Sequence, residues 1–294
     1  MPIYYPDVLQ QKSTPRSFTY GPKDVMLYAL GIGMGRDPMD EWELPFVYEK
    51  DIKVLPTAVA VLAWANGPSS ERTPNQKAGL RISHLNWLML VHGEQKVELH
   101  KPLPSFGKFT ATSRTIGAYD KGKEKGAVVV EETVWIDEKG EQVATLTGSN
   151  FARGDGGFGG PSGGAPKPHL LPSRKPDLVI ALETRPDQAL LYRLSGDLNP
   201  LHSDPKVAKR AGFPRPILHG QCTFGITCWA VLQAYCGYDP TKILSHQARF
   251  SAPVFPGETI TVDLWREGNV VSFDARVIER GATVIKNGKT VLRT

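Results

Sequence analysis

Cysteine is scarce in this chain. Its three residues, Cys222, Cys228 and Cys236, fall inside one apolar stretch with no C-x-x-C spacing. An odd number so placed excludes a disulfide framework and predicts small core side chains. Also missing is an uninterrupted apolar run of transmembrane length, and the N-terminal M-P-I-Y-Y-P-D lacks the basic-then-apolar layout of a signal peptide. The C-terminal K-T-V-L-R-T is not the peroxisomal S-K-L signal. The expected location is cytoplasmic, with a peroxisomal one left open. Nor is there a dense basic run interleaved with aromatics, which argues against nucleic acid as a partner. The 35 Lys and Arg exceed the 30 Asp and Glu for a net charge of +5. So mild an excess suits a phosphate-bearing small molecule.

The 294 residues suffice for two domains of ordinary size. Val25 to Met34 is apolar, but Gly31, Gly33 and Gly35 make it a poor candidate for a long helix. The apolar Ala58 to Ala65 fits either a strand or a buried helix. From His92 to Phe151, strands with period-two or fully apolar patterning predict an antiparallel meander, and Asp120 to Gly126 reads as a solvated turn. Residues 154–172 read as a Gly/Pro-rich linker. Gly154, Gly156 and Gly159 satisfy G-x-G-x-x-G, but Pro161 and further glycines follow where a dinucleotide fingerprint needs a helix.

The second half echoes the first. E-K-G at Glu138–Gly140 recurs as E-R-G at Glu279–Gly281, and the interval from that glycine to a later apolar residue is kept in Phe151 and Leu292. H-K-P-L-P-S-F-G-K-F-T is answered by S-A-P-V-F-P-G-E-T-I-T. A duplicated meander follows, with repeats at 1–153 and 173–294 joined by the linker and paired about a pseudo-twofold axis. In the second copy the meander is preceded by an apolar segment without prolines, Gln221 to Cys236, closed by Gly237 as a C-cap. Phe224, Cys228, Leu232 and Tyr235 recur at helical spacing while the other faces are apolar too, which predicts a buried helix. The first copy's counterpart, near Tyr28, is short and broken by glycines.

The richest stretch runs from Tyr192 to Gly220. It opens Y-R-L-S-G-D-L-N-P-L-H, continues through a polar spacer and closes on R-P-I-L-H-G. Asp197, Asn199 and His202 are gathered there by Gly196 and Pro200, residues that fix polar side chains in turns. A carboxylate and an imidazole can share one water as general base and acid. A glycine N–H at the start of a buried helix can meet a developing oxyanion. His219 reads as positional and Glu49 as a structural contact. His84, His92, His100, His169 and His246 share no ligand spacing, so no metal is expected.

This motif with L-H-G resembles that of the MaoC-like R-specific 2-enoyl-CoA hydratases, the hydratase 2 family. V-Y-E near Tyr48, L-P-T at Leu55 to Thr57, H-G-E-Q-x-x-E-L-x-K-P-L-P at His92 to Pro104 and G-G-F-G-G after Asp155 extend the likeness. The resemblance implies an α+β double hot-dog fold, two repeats each with a long helix wrapped by a curved antiparallel sheet. It implies that Asp197 and His202 activate one water, that Asn199 orients the site, and that Gly220 N–H holds the thioester carbonyl. The activity implied is reversible hydration of (2E)-enoyl-CoA to (3R)-3-hydroxyacyl-CoA, with no cofactor beyond the CoA of the substrate, in a homodimer. By the same likeness the first repeat has lost its chemistry and leaves room for a bulky acyl tail. Arg249 and Lys209 are candidates for the CoA phosphates. The alternatives are a dehydratase acting on acyl-carrier-protein or steroid-side-chain CoA thioesters, and a non-catalytic acyl-CoA binding module.

Overall fold

The computed structural model describes residues 3–65 and 90–294. His84 of the sequence analysis lies outside them. The strands are β1 (Arg16–Tyr20), β2 (Leu90–Leu99), β3 (Gly107–Asp120), β4 (Ala127–Asp137), β5 (Gln142–Ala152), β6 (Leu178–Glu183), β7 (Ile243–Phe250), β8 (Thr259–Glu267), β9 (Val270–Val277) and β10 (Ala282–Leu292). They form one antiparallel sheet in the order β1-β3-β4-β5-β2-β7-β10-β9-β8-β6. Read from its two ends, the order is the same strand pattern twice, meeting where β2 pairs antiparallel with β7 around Lys96↔Gln247. This is the double hot-dog fold.

The meander expectation holds for β3, β4 and β5, but β2 does not sit beside β3. It pairs with β5 on one side and β7 on the other. The physical reason is edge closure: in that position both rows of β2 hydrogen-bonding groups are used, and the two halves become one sheet. The repeated intervals fall at matching places. Phe151 pairs with Val91 of β2, and Leu292 with Ile243 of β7.

Against this sheet pack α1 (Pro22–Ile32), α2 (Leu44–Val47), α3 (Val59–Ala65), α4 (Gln188–Tyr192), α5 (Pro205–Arg210) and α6 (Gly220–Val231). Every residue of α6 from Gln221 to Val231 is buried, as an all-round apolar helix requires. It passes into a π-helical turn, Leu232–Cys236, and ends on Gly237 in the left-handed conformation. Cys222, Cys228 and Cys236 are buried and free. Among the described residues no helix is long and apolar enough to cross a membrane.

Three expectations are corrected. Gly31 does not break a helix; it lies within the 11-residue α1, where an added Cβ would come 3.2 Å from the Tyr192 Cα. Only Gly33, at φ 104°, ends it. Secondly, the first-repeat counterpart of α6 is not the Tyr28 segment. By its place before β2 it is α3, which resolves Ala58 to Ala65 as helical and starts after Leu55, Pro56 and Thr57 as α6 starts after Leu218 and His219. Tyr28 instead belongs to the α1 face that lies on α6, so close that a Cβ on Gly225 would meet the Tyr28 hydroxyl at 2.6 Å.

Thirdly, Asp120 is not a solvated turn residue. It is buried, and its carboxylate accepts the N–H groups of Gly122, Gly157 and Gly159 at 2.7–2.8 Å. Those bonds hold its carboxyl below the usual range. The glycine pattern of residues 154–159 thus does form an anion-binding nest, but the anion is supplied by the chain itself.

Candidate active site

The site begins where α4 gives way to a 3₁₀ turn, Arg193–Ser195, and Gly196 reverses the chain at φ 126°. A side chain at Gly196 would strike Trp64, whose Cβ lies 2.7 Å from the added atom. The reversal turns Asp197 inward, half-buried, with one carboxylate oxygen accepting Asn199 N–H at 3.2 Å. Asn199 is itself exposed and caps the next turn, Pro200–His202, by accepting Leu201 N–H at 3.0 Å. The D-x-N-P-x-H spacing is therefore two linked turns that place the carboxylate and the imidazole together.

His202 is buried and its Nδ1–H donates to the Ile217 carbonyl at 2.9 Å. A carbonyl only accepts, so the proton of the neutral ring sits on Nδ1 and the Nε2 lone pair is left open. Burial pushes the His202 pKa down, against the opposing pull of Asp197 and the Ile217 carbonyl. His219 lies alongside, its ring 3.8 Å from that of His202 at 28° and 4.9 Å from Tyr192. Its Nε2–H donates to the Asp197 main-chain carbonyl at 3.1 Å. Burial and the neighbouring His202 push its pKa well down too. Both imidazoles are neutral near pH 7.

Asp197, His202 and His219 have donor atoms within 4.8 Å of one another, a set that by type could hold a metal ion. Each ring has one nitrogen committed to a main-chain carbonyl, Nδ1 of His202 and Nε2 of His219, which leaves one nitrogen per ring for another partner.

His219 also occupies the N-cap position of α6. The next residue, Gly220, is the first of the helix, so its N–H has no intrahelical acceptor and lies at the positive end of the helix dipole. A Cβ at Gly220 would come 3.3 Å from the Phe250 ring, so a side chain there would press on that ring. Phe250 in turn lies 4.9 Å from the ring of His92, on the first repeat.

Asp197, His202 and Gly220 are thus brought together, with Asn199 as the cap that fixes the turn. The phosphate-ligand candidates are placed elsewhere. Arg249 is exposed and pairs with Glu94 at 3.8 Å. It precedes Phe250 on β7 and so faces the other side of the sheet. Lys209 is exposed in the last turn of α5. Glu49 is exposed as well, whereas Glu43 is buried and accepts Gly35 N–H at 2.8 Å. Sequence reasoning gave no role to the Ile217 carbonyl, which leaves no trace in side-chain pattern. It also passed over Tyr192 and Phe250, whose importance lies in which rings they touch.

Comparison with known proteins identifies the family. Residues 169–288 match the MaoC like domain, and residues 18–154 match the MFE-2 hydratase 2 N-terminal domain. The chain is 40% identical to the peroxisomal enoyl-CoA hydratase 2 of Arabidopsis thaliana, over 95% of this chain and 92% of that one. It is 40% identical to 3-hydroxyacyl-thioester dehydratase Y of Mycobacterium tuberculosis, over 89% and 87%. The crystal structure of a MaoC-like dehydratase from Phytophthora capsici superposes with a TM-score of 0.88 at 36% identity, covering 99% of each chain. With both halves matched and relatives aligned nearly end to end, the chain belongs to the MaoC-like hydratase 2 family and is a hydro-lyase.

Proposed function

We propose that the protein reversibly hydrates (2E)-enoyl-CoA to (3R)-3-hydroxyacyl-CoA, using Asp197 and His202 on one water and Gly220 N–H on the thioester oxygen. The observation that carries this reading is a neutral His202, its Nδ1 tied to the Ile217 carbonyl and its Nε2 left open, grouped with the Asp197 carboxylate and His219 at the N-terminus of α6. A water between them donates one O–H to the carboxylate and the other to Nε2. As its oxygen bonds to C3, the C2–C3 π pair shifts toward C2, charge builds on the thioester oxygen, and Gly220 N–H stabilises it. The proton removed from water is delivered to C2, so one water supplies both added groups and no cofactor is consumed. The Ile217 carbonyl keeps the imidazole in the tautomer this needs.

The likeness to a 3-hydroxyacyl-thioester dehydratase favours the same chemistry run in reverse, and carrier-protein thioesters are the second substrate reading. To test both, the purified chain is given (2E)-butenoyl-CoA, (2E)-decenoyl-CoA and the matching carrier-protein thioesters. Loss of the conjugated enoyl absorbance is followed and the product resolved by chiral chromatography. Turnover of the CoA thioesters to the 3R product is expected. The 3S product, or binding without turnover, overturns the proposal.

A further inference from the structure

β2 and β7 pair antiparallel, so whatever the fold builds at one end of their seam has a counterpart at the other. The catalytic set stands at the end marked by Phe250. At the opposite end, where β2 finishes at Leu99 and β7 begins at Ile243, lies a cleft of about 220 Å³. The separation is about 20 Å along the strands.

The cleft is assembled from the first repeat's versions of the catalytic elements. Lys53 and Val54 lead into the turn before α3 as Pro216 and Ile217 lead into α6. K-P-L at Lys101–Leu103 follows β2 as A-P-V at Ala252–Val254 follows β7. The positions of His219 and Gly220 are taken by Pro56 and Thr57, so the hydration set is absent.

What remains is an apolar floor with a charged rim. Val54, Leu99, Leu103 and Ile243 line the floor. On the rim, Lys101 is neutralised by Asp137 and Glu141, and the Asp239 carboxylate is turned onto the N–H and hydroxyl of Thr241. Lys53 and Arg293 have main-chain partners instead. Lys53 Nζ donates to the Tyr238 carbonyl at 3.0 Å and Arg293 Nε to the Thr241 carbonyl at 3.3 Å, which leaves further N–H groups on both cations. Lys53 is held through its ammonium, which also lies over the Phe46 ring at 5.8 Å, and Arg293 through Nε, and among the described residues neither forms a salt bridge. Two such cations above an apolar floor match a ligand with one apolar arm ending in an oxyanion. The cleft is smaller than the roughly 300–1,000 Å³ of sites that enclose whole drug-sized ligands, so it takes a short arm rather than an entire cofactor.

We propose that this cleft is a second, non-catalytic binding site for an anionic amphiphile, whose oxyanion is held by Lys53 and Arg293. The shared chemistry, a carboxylate or a phosphate on an apolar arm, could come from a free fatty acid or from a CoA conjugate. The inference rests on the fold and the cleft, not on the hydration reading.

Calorimetric titration of the full chain with octanoate, with CoA and with octanoyl-CoA tests it, comparing the unaltered protein with Lys53→Gln/Arg293→Ala. At least one ligand is expected to lose tenfold or more of its affinity in the double variant, while thermal unfolding and any enoyl-CoA turnover stay unchanged. Loss for octanoate identifies a carboxylate ligand, and loss for CoA alone a phosphate one. Either supports the site. Affinities for all three ligands that do not move, or the absence of any binding, overturn it; because turnover is read separately, failure of the hydratase reading leaves a distinct signature.

Discussion

The imidazoles of His202 and His219 stack 3.8 Å apart, each anchored through one nitrogen to a main-chain carbonyl on the other side of the site loop: His202 to Ile217, His219 to Asp197. This crossed pair of bonds ties the Asp197 turn to the segment entering α6. Asp197, His202 and Gly220 therefore keep their spacing although some two dozen residues separate the first from the last.

Removing either half of the pair proposed to activate water tests their roles directly. Asp197→Asn keeps the shape and removes the negative charge, and His202→Gln removes the open Nε2. Each is expected to lower kcat for enoyl-CoA hydration by about 10²–10⁴-fold with little change in thermal unfolding. Near-unaltered rates in both variants would remove the pair from the mechanism.

The pH response has a definite sign. In the proposed mechanism His202 acts as a neutral base, and its folded pKa lies below the ordinary 6.5, so the acid limb of kcat/KM is expected below pH 6.5. Stability moves the same way. His246 is fully buried between Thr227 and Thr290, and burial pushes its pKa down to about 3. Below pH 6.5 the unfolded chain binds a proton that the folded chain refuses, so stability falls as pH falls toward 3. At pH 5 the loss from this residue is about 2 kcal/mol. Denaturant midpoints from pH 8 to 4 check it, and a flat profile would contradict the assignment.

Two glycines of α6 separate function from packing. Gly220→Ala places a methyl group 3.3 Å from the Phe250 ring, on the residue whose N–H is proposed to hold the oxyanion. A fall in kcat of about 10²-fold is expected. Gly225→Ala drives a methyl into the Tyr28 hydroxyl and Ile32. It is expected to cost about 1–3 kcal/mol of stability, part of which Tyr28→Phe should restore. Equal effects of both alanines on stability and none on rate would deny Gly220 its role.

Asp120→Ala removes the anion from the glycine nest. The folded carboxyl is held below its ordinary pKa, so its stabilising effect is present above the unfolded value and fades as pH drops through the folded one. The variant is expected to become sensitive to limited proteolysis in residues 154–164 at neutral pH, with enoyl-CoA turnover retained. An unchanged digestion pattern would mean that the nest does not hold this segment in place.

Local pattern carries a feature into three dimensions when the chemistry needed is itself local. D-x-N-P-x-H is two adjacent turns, so its spacing alone put Asp197, Asn199 and His202 in one loop. The largely apolar, proline-free run from Gln221 to Cys236, apolar on more than one face, announced a buried helix, and Gly237 its end. Period-two patterning found β3, β4 and β5 and their turns because each strand pairs with its neighbour in the chain.

Tertiary structure decided what depends on distant partners. β2 lies between β5 and β7, partners remote from it in sequence that local pattern does not indicate. Gly31 belongs inside a helix because the Tyr192 backbone crosses it, and Asp120 is buried because glycines 37 and 39 residues away point their N–H groups at it. The tautomer of His202 is fixed by a main-chain carbonyl at Ile217, and the facing of Arg249 by its place next to Phe250 on a pleated strand. The sequence by itself determined which groups could do chemistry. Packing across the two repeats determined which of them are neutral, which are open and which are already spoken for, since burial and partners at long separation set both protonation and access.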